Sequence, residues 1–229
     1  MNDRPISLAR SGFLVVSILG GALLGDCRSA QAQTLSPPPN PAVAAVTEVR
    51  QTIDTAWKEM QAFRTGGGKP AAPDHPALKW DAKLWQYRER HPGGEAAARA
   101  TAEAIRLLVR GEFWEQAHAR TDSVGFDDAA WERIPIAVYE EGSTRKDFNG
   151  TIAKLSQVAA GTASASIKSA ALLYVGRAQR RQGDVAAATK SFEASQSAAP
   201  GSASAEEAGG LLYEIAHLSV GLPAPAFSA

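Results

Sequence analysis

Glu115 and His118 lie three residues apart, a spacing that puts both on one face of a helix and that helical bundles use to hold a metal ion. Such a site needs ligands from other helices. The remaining histidines, His75, His91 and His217, sit in proline-flanked loops or near the last residues. A polar contact at a helix edge accounts for the pair, and no metal or other cofactor is expected. Gly66-Gly67-Gly68-Lys69 carries the glycines and the cation of a phosphate cradle. However, Pro70 stands where a hydroxyl would hold Mg²⁺ and no strand precedes the run, so it reads as a helix end. Ser143 and Lys146 have the spacing of an acyl-transfer nucleophile and its amine, without the companion motifs that chemistry requires. Asn149-Gly150-Thr151 is a formal glycosylation sequon, and a turn feeding a helix cap explains it equally. The most unusual loop is Ala72-Pro73-Asp74-His75-Pro76, followed by Trp80 and Trp85. A rigid loop beside aromatics could grip a peptide. The preferred reading is that both tryptophans fill gaps between alanine-rich helices.

No residue set therefore earns a catalytic role, and the chain is expected not to be an enzyme. The formal net charge of its 229 residues is zero, which argues against nucleic acid or an anionic membrane as partner. The single cysteine is Cys27. Leu24-Gly25-Asp26-Cys27 is similar to a bacterial lipoprotein box, but Asp26 occupies a position where a small residue is wanted. Arg4 and Arg10 precede an apolar run from Gly12 to Gly25, and Ala30-Gln31-Ala32 follows with the small-x-small pattern of a cleavage site. The run is short for a bilayer span, which needs about 20 apolar residues. Residues 1–32 are thus expected to be a cleaved signal peptide, with Ala30 and Ala32 marking the cut. The mature chain would then be periplasmic or extracellular, without a transmembrane segment and without a cysteine. That excludes thiol chemistry within it.

These residues must be positioned by helices. Ser36-Pro37-Pro38-Pro39-Asn40-Pro41 belongs to a proline-rich linker over 33–42, extended as polyproline II. From there to 218 apolar residues recur at spacings of three and four: Val46, Val49, Ile53, Trp57, Met60 and Phe63 first, with Gly66 ending that helix. Pro70, Pro73 and Pro76 predict an extended stretch before a second helix beginning at Trp80 and stopping at His91-Pro92-Gly93-Gly94. Further helices are predicted over Glu95–Arg110, through Phe113, Trp114 and Ala117, from Asp127 through Trp131, and around Leu155. Pro135 should kink the helix from Asp127 or mark a boundary within it. A terminal helix over Ala205–His217 should bury Leu211, Leu212, Ile215 and Leu218. No stretch alternates with period two, so the expected fold over 43–218 is all-α, built of antiparallel helix pairs.

Leu172, Val175-Gly176, Gly183, Ala188, Phe192 and Pro200 together resemble a tetratricopeptide repeat. The resemblance spans about 30 residues. It implies two helices crossing closely at Gly176 and Ala188, a turn at Gly183, Phe192 plugging the gap and Pro200 ending the second helix. Leu172 replaces the family's tryptophan and Gln179 its aromatic. One repeat cannot close a core alone, so its neighbours should complete a TPR-like array.

Residues 219–229 carry a second resemblance. Gly221, Pro223, Pro225 and Phe227 follow an apolar residue in the pattern that opens a thioredoxin-fold redoxin domain of the peroxiredoxin and TlpA-like families. It implies that the helices accompany a thiol–disulfide oxidoreductase domain whose reactive cysteine lies outside this chain. The expected role is a non-enzymatic module for protein contact beside such a domain. The alternative is a truncated or split redoxin, and a third reading is a free-standing envelope binding protein.

Overall fold

The computed structural model describes residues 40–218, which fall within one compact unit. The proposed signal residues Ala30 and Ala32, Cys27, and the tail residues Gly221, Pro223, Pro225 and Phe227 lie outside the described residues. Among the described residues there are nine α-helices, one short 3-10 helix and no strand. The α-helices are α1 (Pro41–Thr65), α2 (Pro76–Arg90), α3 (Gly94–Arg110), α4 (Trp114–Asp122), α5 (Ile134–Arg145), α6 (Phe148–Gly161), α7 (Ala165–Arg181), α8 (Val185–Ala198) and α9 (Ala203–His217). The 3-10 helix is Ala129–Glu132. The all-α expectation holds, and the helices pack as pairs.

Six of the nine described α-helices start where a side chain supplies a cap, and α3, α4 and α5 start without one. Asn40, Asp147, Ser164, Asp184 and Ser202 all accept a backbone N–H of the first turn through their side chains. Helix α1 begins at Pro41, two residues before the expected boundary, because Asn40 caps it and proline at the first position loses no hydrogen bond. The same device corrects the second helix. Pro76 does not extend the preceding stretch. It opens α2, four residues before Trp80, and His75 is the cap: the Ala77 N–H donates to His75 Nδ1 at 3.1 Å. Residues 66–75 form turns rather than an extended run, tied down by the Ala71 N–H donating to the Gly111 carbonyl at 2.8 Å. Pro135 falls in the first turn of α5 and marks a boundary between it and the 3-10 helix.

The composition of α3 explains its place. Eleven of its seventeen residues are buried, most of them alanines, so α1, α2, α4, α5 and the 3-10 helix can all approach it closely. Leu84, Ile105, Leu107, Leu108, Trp131 and Leu155 fill the space that alanines leave. This burial is the main stabilising term, at about 25 cal/mol per Å² of apolar surface. Trp80 is buried with them, and its Nε1 donates to Glu59 at 2.7 Å. Trp85 is only half-buried, so the core reading fits one tryptophan better than the other. Arg120 lies 4.1 Å over the Trp85 ring and donates twice to the buried Asp81, at 3.1 and 3.0 Å. Burial pushes the Asp81 carboxyl above its ordinary range, more than Arg120 lowers it.

A second, smaller core holds α7, α8 and α9 together through Leu173, Ala188, Phe192 and Ala208. Two buried serines reinforce it. Ser169 and Ser195 each donate to the other's carbonyl at 2.8 Å, stitching α7 to α8. Leu211, Leu212 and Ile215 of α9 are half-buried and Leu218 is 56% exposed, so the terminal helix buries less than its periodicity predicted. Its buried contacts are Ala205 and Ala208 instead.

His75 gives the fold a pH dependence. Burial lowers its pKa from the ordinary 6.5, partly offset by Asp74. A depressed histidine contributes stability that is present above its unfolded pKa and lost as pH falls through the folded one. Protonating Nδ1 also removes the cap, worth on the order of 1 kcal/mol. His75→Asn keeps a capping oxygen and cannot titrate. The wild type is expected to lose more stability between pH 7.5 and pH 5 than this variant in urea melts. Equal losses would show that His75 stays uncharged or uncoupled.

Candidate binding surface

The first helices of successive pairs lie side by side: α3 packs on α5, α5 on α7 and α7 on α9. Their outward residues make a continuous belt of arginine, tyrosine and glutamate. Arg106 and Arg110, one turn apart on α3, both grip Glu140 of α5 with two hydrogen bonds each, between 2.6 and 3.2 Å. Burial alone would raise the Glu140 pKa, but the two guanidiniums outweigh it and hold the carboxyl below its usual range. Arg106 also lies 5.2 Å over Trp57 of α1, whose Nε1 donates to Glu103 at 3.2 Å. Next along the belt, Tyr139 of α5 packs on Tyr174 of α7 with ring centres 5.8 Å apart. Burial raises the Tyr174 phenol pKa, so it remains a neutral donor. Arg177 covers the Tyr174 ring at 5.2 Å and pairs with Glu207 of α9. One turn on, Arg180 pairs with Glu214 at 3.0 Å.

These contacts frame a groove over α7 of about 430 Å³, lined by Tyr139, Arg177, Arg180, Arg181 and Leu211. Arg181 is exposed and holds no ion pair among the described residues. The Arg177 Nε–H is buried without a protein acceptor, and so is the Ser143 hydroxyl on α5. A buried donor without a partner costs about 1–3 kcal/mol unless something else accepts from it. The groove thus offers an aromatic wall, an apolar end at Leu211 and one uncommitted guanidinium. That chemistry suits a carboxylate next to an apolar group.

The structure places the repeat residues on the α7–α8 hairpin. Gly183 forms the turn between α7 and α8 at φ +87°. Phe192 is fully buried and its ring fills the hollow at Gly176, where any Cβ would stand 2.5 Å from it. Ala188 is fully buried, and Pro200 lies just past the end of α8. Leu172 is half-buried and packs on the main core, whereas Leu173 belongs to the smaller core with Ala188 and Phe192. The groove residues Arg177, Arg180 and Arg181 escaped the sequence reading. Their signal was the helical spacing of three and four within α7.

The other candidates disperse. His118 pairs with Glu141 of α5 at 2.8 Å, not with Glu115, which is exposed. Among the described residues no cluster of three or more potential metal ligands occurs. Lys146 is an exposed left-handed residue at the end of α5, at φ +58°. The sequon lies inside the first turns of α6, not in a turn, with Thr151 buried and donating to the Asp147 carbonyl at 3.0 Å. Gly66–Gly68 end α1 as expected. No helix among the described residues is long and apolar enough to cross a membrane. A comparison with models of known protein families, with curated proteins and with solved structures finds no match for this chain.

Proposed function

We propose that this chain is an exported, non-enzymatic, TPR-like helical module that holds a protein partner in the groove over α7. The observation that carries the reading is the set Tyr139, Arg177, Arg180, Arg181 and Leu211, which combines apolar contact with an uncommitted positive charge. Aromatic and arginine side chains are the ones that concentrate binding energy at protein interfaces. Export rests on the residues of the apolar N-terminal run and on Ala30 and Ala32. A thioredoxin-fold redox domain as partner rests on the resemblance around Gly221, Pro223, Pro225 and Phe227. Neither cofactor nor nucleic acid enters this role.

Selection of a displayed random peptide library on the full chain tests the groove. Enriched peptides are expected to carry Asp, Glu or a free C-terminus beside a large apolar residue. They are also expected to bind Arg181→Glu at least about tenfold more weakly, since a charge-assisted hydrogen bond contributes roughly 1.5–3 kcal/mol. Arg181 is exposed, so the variant keeps its fold. Peptides that bind both proteins alike would remove the groove from the account.

A further inference from the structure

A different pocket lies between α1, the turns over 66–75 and the end of α3, with a volume of about 360 Å³. That lies within the range of small-molecule sites. Its interior is apolar and aromatic: Trp57, Met60 and Phe63 come from α1. His75 closes one side, edge-on to Phe63 at 4.6 Å and to Phe113 at 5.6 Å. Lys58, Arg64 and Arg110 also line it, and no carboxylate does. Arg110 is committed to Glu140, but Lys58 and Arg64 are exposed and hold no ion pair among the described residues.

Two local details sharpen the chemistry. The backbone carbonyls at the C-terminal end of α1 would ordinarily repel an anion. Here the N–H groups of Gly66, Gly67 and Gly68 cover the carbonyls of Ala62, Arg64 and Phe63, at 2.9, 3.2 and 2.9 Å. His75 accepts the Ala77 N–H through Nδ1, so the neutral ring carries its proton on Nε2. That Nε2–H has no protein acceptor among the described residues. It is not sealed from solvent, although His75 as a whole is only 7% exposed.

From this juxtaposition we infer that the pocket binds a small amphipathic carboxylate. The apolar body lies among Trp57, Met60 and Phe63, and the carboxylate meets Lys58 and Arg64 at the rim with the His75 Nε2–H as an inner donor. The site is independent of the groove over α7. A rim of one sign over an apolar interior selects by head-group charge, because a cation would meet uncompensated repulsion and an alcohol would forgo the charge-assisted hydrogen bonds.

Calorimetric titration of the full chain with 4-phenylbutyrate, 4-phenylbutanol and 4-phenylbutylammonium separates these cases, since all three share one body. The acid is expected to bind saturably, and the alcohol and the ammonium at least about tenfold more weakly. The double variant Lys58→Glu, Arg64→Glu changes only exposed side chains, and its melting curve verifies the fold. It is expected to weaken the acid at least about tenfold and to strengthen the ammonium. Equal binding of the three heads, acid binding unchanged in the double variant, or no saturable binding at millimolar acid would each overturn the inference. So would a peptide ending in phenylalanine that binds more tightly than the free acid, because the ligand would then be a protein terminus.

Discussion

Trp131→Ala is expected to destabilise the fold by about 3–5 kcal/mol, the range for emptying a large aromatic from a core. Trp131 is fully buried on the short 3-10 helix, which packs against α3, α5 and α7. Its indole therefore sits where three helices would otherwise leave a void. Alanine-rich helices cannot collapse into that void, because their side chains are too short to reach across it. The loss has a polar part as well. Trp131 Nε1 donates to the Val124 carbonyl at 3.2 Å, and Phe126 packs edge-on to the ring at 6.0 Å. Removing the indole leaves that carbonyl unpaired and frees the loop over 123–128. Urea unfolding followed by circular dichroism measures the difference. Trp114→Ala is the control: Trp114 is half-buried beside Arg145, and its loss should cost under about 1 kcal/mol. Equal effects of the two substitutions would mean that Trp131 does not hold the junction.

The helices were legible because their apolar residues repeat at three and four, and because Gly66, Gly93 and Gly183 punctuate them. What escaped was the role of prolines at helix starts. Pro41 and Pro76 read as linker or extended residues until Asn40 and His75 are seen to cap them, since proline at a first helical position removes no hydrogen bond. The hairpin of α7 and α8 was expected from the tetratricopeptide resemblance of Gly176, Gly183, Ala188 and Phe192, and Phe192 does pack on Gly176 and beside Ala188 there. Neighbouring leucines at 172 and 173 are both apolar, and only packing decides that Leu173 faces Phe192 while Leu172 faces the main core. The proposed binding surface was hidden for a related reason. Charged residues on a helix look alike in sequence, whether they end in ion pairs, as Arg180 does with Glu214, or remain uncommitted, as Arg181 does. The partner acids come from other helices, and no local spacing announces them.

The two cores predict that stability is not uniform along the array. Among the described residues the smaller one contains only Leu173, Ala188, Phe192 and Ala208 as buried residues, and Phe192 is the only aromatic among those four. Phe192→Ala should therefore cost about 3–5 kcal/mol in the packing of α7 against α8 and α9. The hollow at Gly176 that receives it would stand empty, and the half-buried Leu211 and Leu212 of α9 belong to the same small cluster. What remains to hold α8 to α7 is mainly polar: the serine pair, Ser169 with Ser195, and Ser191 donating to Gln179 at 2.7 Å, each with a net contribution of about 0.5–1.5 kcal/mol. The α8–α9 hairpin should then open on its own while α3 and its neighbours stay folded. Native-state hydrogen exchange distinguishes this from global unfolding. In Phe192→Ala, amides of α8 and α9 are expected to lose protection by at least about a hundredfold, with those of α3 changing far less. A uniform loss across α3, α8 and α9 would show that the array opens as one cooperative unit. Because Arg177 and Arg180 reach Glu207 and Glu214 on α9, the same local opening would dismantle one wall of the groove over α7, so partner binding should weaken together with α9 protection.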